Sequence, residues 1–355
     1  AKRFLMDYLA EQHLYEDAFR MAEECGYDYM ESRTAAALCS YAVTERGFEE
    51  DDFLLGFAET VFRKGKYNDV VLIYLCKYYN GATKTMAKLW QAAGAFGLDT
   101  YDLEERVLTH MLYTTEYVPD ISRIFDSYAA GGGKEELCLA YLSYFADAFL
   151  EKDMVVPGEV FSCIQDRYLA GGELNDACRI GLLKYLSGQQ RLEQKQYEAA
   201  DRLLERYTAQ NIYFTFYGAF DKRLRRKYHL YDRFFVEYHA KPGSRVLIRY
   251  SMDGIRYREE RMTEAYDGIF IREFILFFGE TVQYYVIEEK DGAERITESA
   301  ELANQNMEGA AGLGSYGRLN EMLVAKALGE QEALAEKMKD YDRVKRIAGQ
   351  VFRLL

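Results

Sequence analysis

The sequence predicts a multidomain α plus β protein: an α-solenoid of helical hairpins, then a small antiparallel β-sandwich, then C-terminal helices. Three observations carry this. Apolar residues recur at helical spacing through residues 1–210, the period changes to two between 233 and about 303, and the helical period returns from 318. The 355 residues include only 3 prolines, too few breakers to interrupt long helices often. The expected domains are 1–232, helical repeat; 233–308, β-sandwich; and 309–355, a Gly-rich linker with C-terminal helices.

In the first segment Tyr67, Val70, Val71, Tyr74, Leu75 and Tyr78 follow the spacing of one helical face. Cys138, Tyr141, Leu142, Phe145 and Phe149 do the same, as do Leu174, Cys178, Leu182 and Tyr185. Glycine turns at Gly47, Gly65, Gly81, Gly94 to Gly97, Gly131 to Gly133 and Gly171-Gly172 separate the helices. Asp102 with Glu105 reads as a capping box. Helical hairpins recur at roughly 30–45 residues, near the periods of helical repeats.

The segment from Lys195 to Leu204, with its Tyr197-Glu198-Ala199-Ala200 core, resembles the second half of a tetratricopeptide hairpin, and Gln12 to Phe19 has a similar look. That resemblance implies a tetratricopeptide-like array.

Residues 211–232 form a hinge. Phe220, Leu224, Tyr228 and Tyr231 make one stripe of an amphipathic helix, and Lys222, Arg223, Arg225, Arg226 and Lys227 crowd its other sides. Beyond it, Val246, Ile248 and Tyr250, then Val282, Tyr284 and Val286, alternate as strand residues do. Turn signals at Asp253-Gly254, Asp267-Gly268, Gly279-Glu280 and Asp291-Gly292 give a meander rhythm with room for five to seven strands. The run Arg249 to Gly292, with Asp267-Gly268-Ile269-Phe270 and Gly279-Glu280-Thr281-Val282-Gln283-Tyr284-Tyr285, resembles immunoglobulin-like (early-set) modules found beside bacterial carbohydrate-active or surface domains. The order helical array, sandwich, terminal helices also resembles large bacterial proteins of an uncharacterised family of unknown function. From 318 onward, Leu334, Met338, Tyr341, Val344, Ala348, Val351 and Leu355 mark one apolar face that requires a cover.

Composition narrows the function. A net charge of −13 repels phosphate, so nucleic acid and anionic membranes are not the expected partners. The 6 cysteines, spread without metal-site spacing, read as buried thiols in a reducing compartment, which favours a cytoplasmic location. No apolar run approaches the ~20 residues of a membrane span. The chain opens in helical pattern without an initiator Met, as expected of a piece cut from a longer protein.

No motif predicts catalysis. Gly312-Leu313-Gly314-Ser315-Tyr316-Gly317 fits a dinucleotide fingerprint in letters, but no strand pattern precedes it, so it reads as a linker. The four histidines lack metal spacing, and Ser315 lacks the glycine of a nucleophile elbow. Gly81-Ala82-Thr83-Lys84-Thr85 lacks the glycine that a phosphate loop places before its lysine. No cofactor is expected. A carboxylate pair of glycosidase type needs no local motif and could sit among 58 acids, although Trp90 alone is a poor lining for a sugar cleft.

The densest aromatic cluster runs through Tyr213, Phe214, Phe216, Tyr217, Phe220, Tyr228, Tyr231, Phe234, Phe235 and Tyr238, where helices should meet sandwich. Its bland reading is a buried interdomain core, and its sharper one a groove. The expected function is a non-catalytic protein–protein interaction scaffold, with Tyr213, Tyr217, Lys222, Arg223, Arg226, Tyr228 and Tyr231 as candidate partner-binding residues. The alternatives are a carbohydrate-binding or surface-associated module, on Tyr250, Tyr257 or Tyr285, and a helical-array hydrolase.

Overall fold

Helices fill the first two hundred residues because apolar residues return every three or four positions, and left-handed glycines follow several of the segments, as Gly65 does at the end of the fourth helix. The computed structural model describes residues 1–27, 30–47, 49–152, 155–228, 230, 233–290, 292–305 and 315–351. The chain divides into two compact units, Ala1–Ser162 and Cys163–Leu355.

The first unit holds α1 (Lys2–Glu11), α2 (Tyr15–Glu24), α3 (Ser32–Tyr41, continued by a π-helical turn, Ala42–Arg46), α4 (Asp51–Lys64) and α5 (Asn68–Tyr78). It continues with α6 (Thr83–Ala95), α7 (Tyr101–Thr114), α8 (Ile121–Ala130) and α9 (Glu135–Lys152), and α10 (Gly158–Leu169) spans the division. Neighbouring helices pair, as α1 with α2, α6 with α7 and α7 with α8. A second relation runs through the unit. Each of α1, α3, α5 and α7 also packs on the next odd-numbered helix, so that α1, α3, α5, α7 and α9 form one row, while α4 packs on α6. The core between them is aliphatic and aromatic, with Leu38, Leu54, Phe62, Leu75, Leu89, Leu108, Tyr128 and Phe145 fully or almost fully buried.

Two local expectations change. The capping box at Asp102 and Glu105 is absent: α7 starts two residues earlier than that box requires, at Tyr101, with Thr100 in the cap position and its hydroxyl donating to Glu104. The capping box that does form joins Glu193 and Gln196 at the start of α12.

The second unit continues with α11 (Asp176–Ser187), α12 (Gln194–Ala209), a 3-10 turn (Thr215–Ala219) and α13 (Lys222–Lys227). Helix then gives way to β1 (Arg233–His239), β2 (Arg245–Ser251), β3 (Arg258–Arg261), β4 (Thr263–Tyr266), β5 (Ile269–Ile275), β6 (Thr281–Lys290), β7 (Ala293–Ile296) and β8 (Ala300–Ala303). All pairings are antiparallel. One sheet has the order β1-β5-β4; the other runs β3-β2-β6-β7, with β8 also on β6. Val236, Phe270 and Phe274 of the first sheet and Val246, Ile248, Val282 and Val286 of the second share one core, which is the small sandwich.

Eight strands stand where five to seven were expected, among the described residues. Met262, between β3 and β4, turns into the core and its N–H donates to Val246 O at 2.9 Å. Arg258–Arg261 therefore pairs with β2, and Thr263–Tyr266 pairs with β5 in the other sheet. Gly254, Gly268, Gly279 and Gly292 all hold left-handed φ, as the turn signals require.

Two helices close the chain, α14 (Ser315–Leu328) and α15 (Gln331–Val351), packed on each other. Val324 and Ala325 of α14 are buried, and the N–H of Phe278 in the β5–β6 turn donates to Asn320 Oδ1 at 2.6 Å, whereas on the face expected to be covered in α15 Met338 is 53 % exposed. Gly312 to Gly314 of the literal glycine motif lie outside the described residues.

Candidate partner-binding surfaces

The residues singled out at 213–231 separate into layers. Tyr213 and Tyr217 are interior. The Tyr213 ring stacks on Phe235 of β1, with centroids 5.6 Å apart and planes 8° apart, and the Arg233 guanidinium sits 4.5 Å above it. Arg233 also pairs with Glu273 of β5. Tyr217 is completely buried among Phe214, Phe220 and Phe235, and burial pushes its ionisation far above the ordinary range. This is packing of helical segments against the sandwich within the second unit.

The basic residues follow a different logic. Asp221 caps α13 by accepting from the N–H of Leu224 at 3.0 Å, which fixes the helix start and leaves Phe220 outside it in extended conformation. The expected stripe from Phe220 to Tyr231 is thus a six-residue helix, with Tyr228 at its C-cap. Lys222, Arg223 and Arg226 point to solvent. Arg223 pairs with Asp221 at 3.1 Å and lies 4.6 Å over the Tyr197 ring of α12. Lys227 Nζ donates to both oxygens of Asp201 at 2.7 Å, and the half-buried Tyr228 hydroxyl donates to Asp201 Oδ1 at 2.7 Å. Burial would raise the Asp201 carboxyl, but the bonds from Lys227 and Tyr228 outweigh it and hold it low. Much of the basic run is therefore spent docking α13 on α12. Tyr231 lies outside the described residues.

A surface that the sequence reading passed over lies in the first unit. Asp69, Leu72, Ile73 and Cys76 occupy positions i, i+3, i+4 and i+7 of α5, a second face beside the inward Val71 and Leu75. Opposite them stand Asp99 before α7, and Tyr101, Asp102 and Leu103 in its first turn; together they enclose a groove of about 300 Å³. Leu103 is buried, Leu72, Cys76 and Tyr101 are half-buried, and Ile73 is 49 % exposed. The three carboxylates stand at the rim. Asp99 Oδ1 accepts from the N–H of Tyr101 at 3.1 Å. Among the described residues no salt bridge reaches any of the three; Lys134, paired with Glu105, adds only a longer-range attraction at Asp102. Burial, with the Asp102 carboxylate adding to it, pushes the Cys76 thiol up to about 12, so the sulfur is neutral and apolar rather than a thiolate nucleophile.

Other polar clusters hold the fold. Glu104 is buried and its Oε1 accepts from Trp90 Nε1 (3.0 Å), Thr100 Oγ1 (2.8 Å) and Ser127 Oγ (2.6 Å), which ties α6, α7 and α8 together. Thr83 and His110 face each other at 2.9 Å, but both are buried. A larger cleft of about 640 Å³ beside α1 and α3 is crossed by the Arg33–Glu11 pair at 3.4 Å and by the Thr34 hydroxyl donating to Asp7 at 2.5 Å. On the sandwich, Tyr250 is buried, whereas Tyr257 and Tyr285 meet at the surface with centroids 6.0 Å apart and planes inclined by 44°. Among the described residues no helix is long and apolar enough to cross a membrane, and no group of His, Cys, Asp or Glu gathers as metal ligands.

Residues 51–352 match the family described as "Family of unknown function (DUF5717) C-terminal", and the chain belongs to that family. The matched span takes in α4 through α15, and so both the groove and the sandwich. No curated protein and no solved structure matches the chain.

Proposed function

We propose that this member of the DUF5717 family is a non-catalytic protein–protein interaction scaffold, a tetratricopeptide-like array joined to an immunoglobulin-like sandwich. The observation that carries the reading is the row α1-α3-α5-α7-α9, in which each helix meets its next-but-one neighbour. Repeat arrays stack in this way, each unit touching only those beside it, and they bind extended partners along the surface so formed. The row leaves Ile73 and Tyr78 of α5 and Tyr113 of α7 open to solvent, and aromatic and aliphatic side chains are the usual anchors of a peptide. The polar groups that resemble catalytic pieces, Thr83 with His110 and the triply bonded Glu104, are enclosed and serve packing.

Selection of a random-peptide display library on the full chain tests this. Synthetic copies of the recovered peptides should bind with micromolar Kd in fluorescence anisotropy, and Ile73, Tyr78 or Tyr113 to Ala substitutions should weaken them. A library that returns no saturable binder contradicts it.

A second reading, glycan binding by the sandwich, draws on the surface pair Tyr257 and Tyr285. Their 44° inclination is a poor platform for a flat sugar face, so the peptide reading takes precedence. Oligosaccharide titration of the wild type against Tyr257→Ala separates the two.

A further inference from the structure

We infer that the groove between α5 and the start of α7 receives the apolar face of a basic amphipathic helix from a partner protein. The inference rests on the scaffold reading and assigns its partner class. It begins with an anomaly in α5. The run Val70-Val71-Leu72-Ile73 is apolar at four consecutive positions, a pattern that belongs to a helix covered on every side. Val71 and Leu75 are covered by the core, but the face carrying Leu72, Ile73 and Cys76 opens into the groove. An uncovered second face on such a helix is a standing cost unless something else covers it.

The groove sets the size and chemistry of that cover. Its volume of about 300 Å³ lies at the small end of ligand sites, fitting an anchor or two rather than a whole small molecule with polar groups. Helices that dock in grooves present just such anchors at i, i+3 or i+4, and i+7. The floor is apolar and the thiol is neutral, so it offers nothing to a charged or reactive group. The rim is different: Asp69, Asp99 and Asp102 form no salt bridge among the described residues, and Lys134, which lies within range of the Asp102 charge, is itself paired with Glu105. The nearest cation along α7, Arg106, is committed elsewhere, donating to Tyr79 O at 2.9 Å and Asn80 Oδ1 at 3.3 Å. Apolar anchors ringed by Lys or Arg complement this site, whereas an acidic helix would meet three like charges. The chain's own most basic helix, α13, is unsuited to the role, since its Leu224 is buried where it stands.

The probes are two synthetic helical peptides of about 18 residues with identical Leu faces, one carrying Lys and Arg on its remaining positions and the other Glu. Binding to the full chain is read by fluorescence anisotropy. The basic peptide should bind and the acidic one should not. Ile73→Lys, and separately the pair Asp69→Asn with Asp102→Asn, should each weaken the basic peptide by about tenfold or more. A control variant neutralises as much or more charge in the second unit, Glu330→Gln, Glu332→Gln and Glu336→Gln, none of which lines the groove; it should leave the affinity unchanged. Thermal melts that match the wild type certify that each variant is folded, as expected for exposed positions. Equal weakening by the control would mean diffuse attraction to a chain of net charge −13 and would overturn the assignment. So would a basic peptide that binds but ignores the groove variants, or one that does not bind at all. If display selection still yields binders in those cases, the scaffold reading survives and only the groove falls; if it yields none, both fall.

Discussion

Three donors converge on one oxygen of Glu104, and one of them is the indole of Trp90, the sole tryptophan. Its emission therefore reports the packing of α6, α7 and α8 directly. Glu104→Ala leaves the three donors without an acceptor in a buried place and should cost about 3 kcal/mol in urea unfolding followed by Trp90 emission. Glu104→Gln keeps an acceptor oxygen and should cost about 1 kcal/mol. His110 adds a pH dependence. Burial first, and then Arg106, hold its pKa below the ordinary value, against an opposing pull from Glu116. The unfolded chain takes up a proton that the folded one refuses, so the contribution is fully present at neutral pH and is lost as pH falls below the ordinary histidine value. The Trp90-detected urea midpoint should drop between about pH 7.5 and 5.5, and His110→Gln should flatten that slope. Sequence reading singled out Tyr213 and Tyr217 as candidate partner contacts but could not say which way the rings face. A tyrosine fits a core and a binding surface equally well, and here both rings are inside.

At the scale of elements, periodicity was legible and interruption was not. The stripes on α5, α9 and α11 and the alternation in β2 and β6 all lie in elements of the expected kind. Local side chains accompany each of three element boundaries. Asp221 caps α13 and shortens the expected helix to six residues. Met262 enters the core between β3 and β4, which belong to different sheets. Asp99 accepts from the N–H of Tyr101, and the N-cap of α7 falls on Thr100, two residues before Asp102. The second face of α5 was present in the sequence as the spacing 69, 72, 73 and 76, but it overlaps the core stripe, and only burial tells the two apart. The β4–β5 turn offers a sharp test. Gly268 has φ +74, and a Cβ there would stand 2.3 Å from Ala240 O. Gly268→Ala meets both the left-handed penalty and a backbone clash, and should destabilise the sandwich by about 2 kcal/mol or more in chemical denaturation. Gly279→Ala, at φ +83 with open space around it, should cost less.

Across the whole molecule, the order helices, antiparallel sheets, helices follows from composition and period alone, and the family match covers most of that order. The division into units at Ser162 and Cys163 falls inside α10, where the periodicity gives no sign of a break. The helix-to-strand change at 233 lies within the second unit. What no single stretch of sequence displays is the row of odd-numbered helices, because it arises from contacts between segments tens of residues apart. The functional claim depends on that row. Amide hydrogen exchange of the full chain, with and without a saturating peptide recovered by display selection, tests it most directly. Slowed exchange along 68–78 and 99–104, with no change at the Tyr257 and Tyr285 surface of the sandwich, is the expected result. Slowing confined to the sandwich strands, with the helical row unaffected, would contradict it.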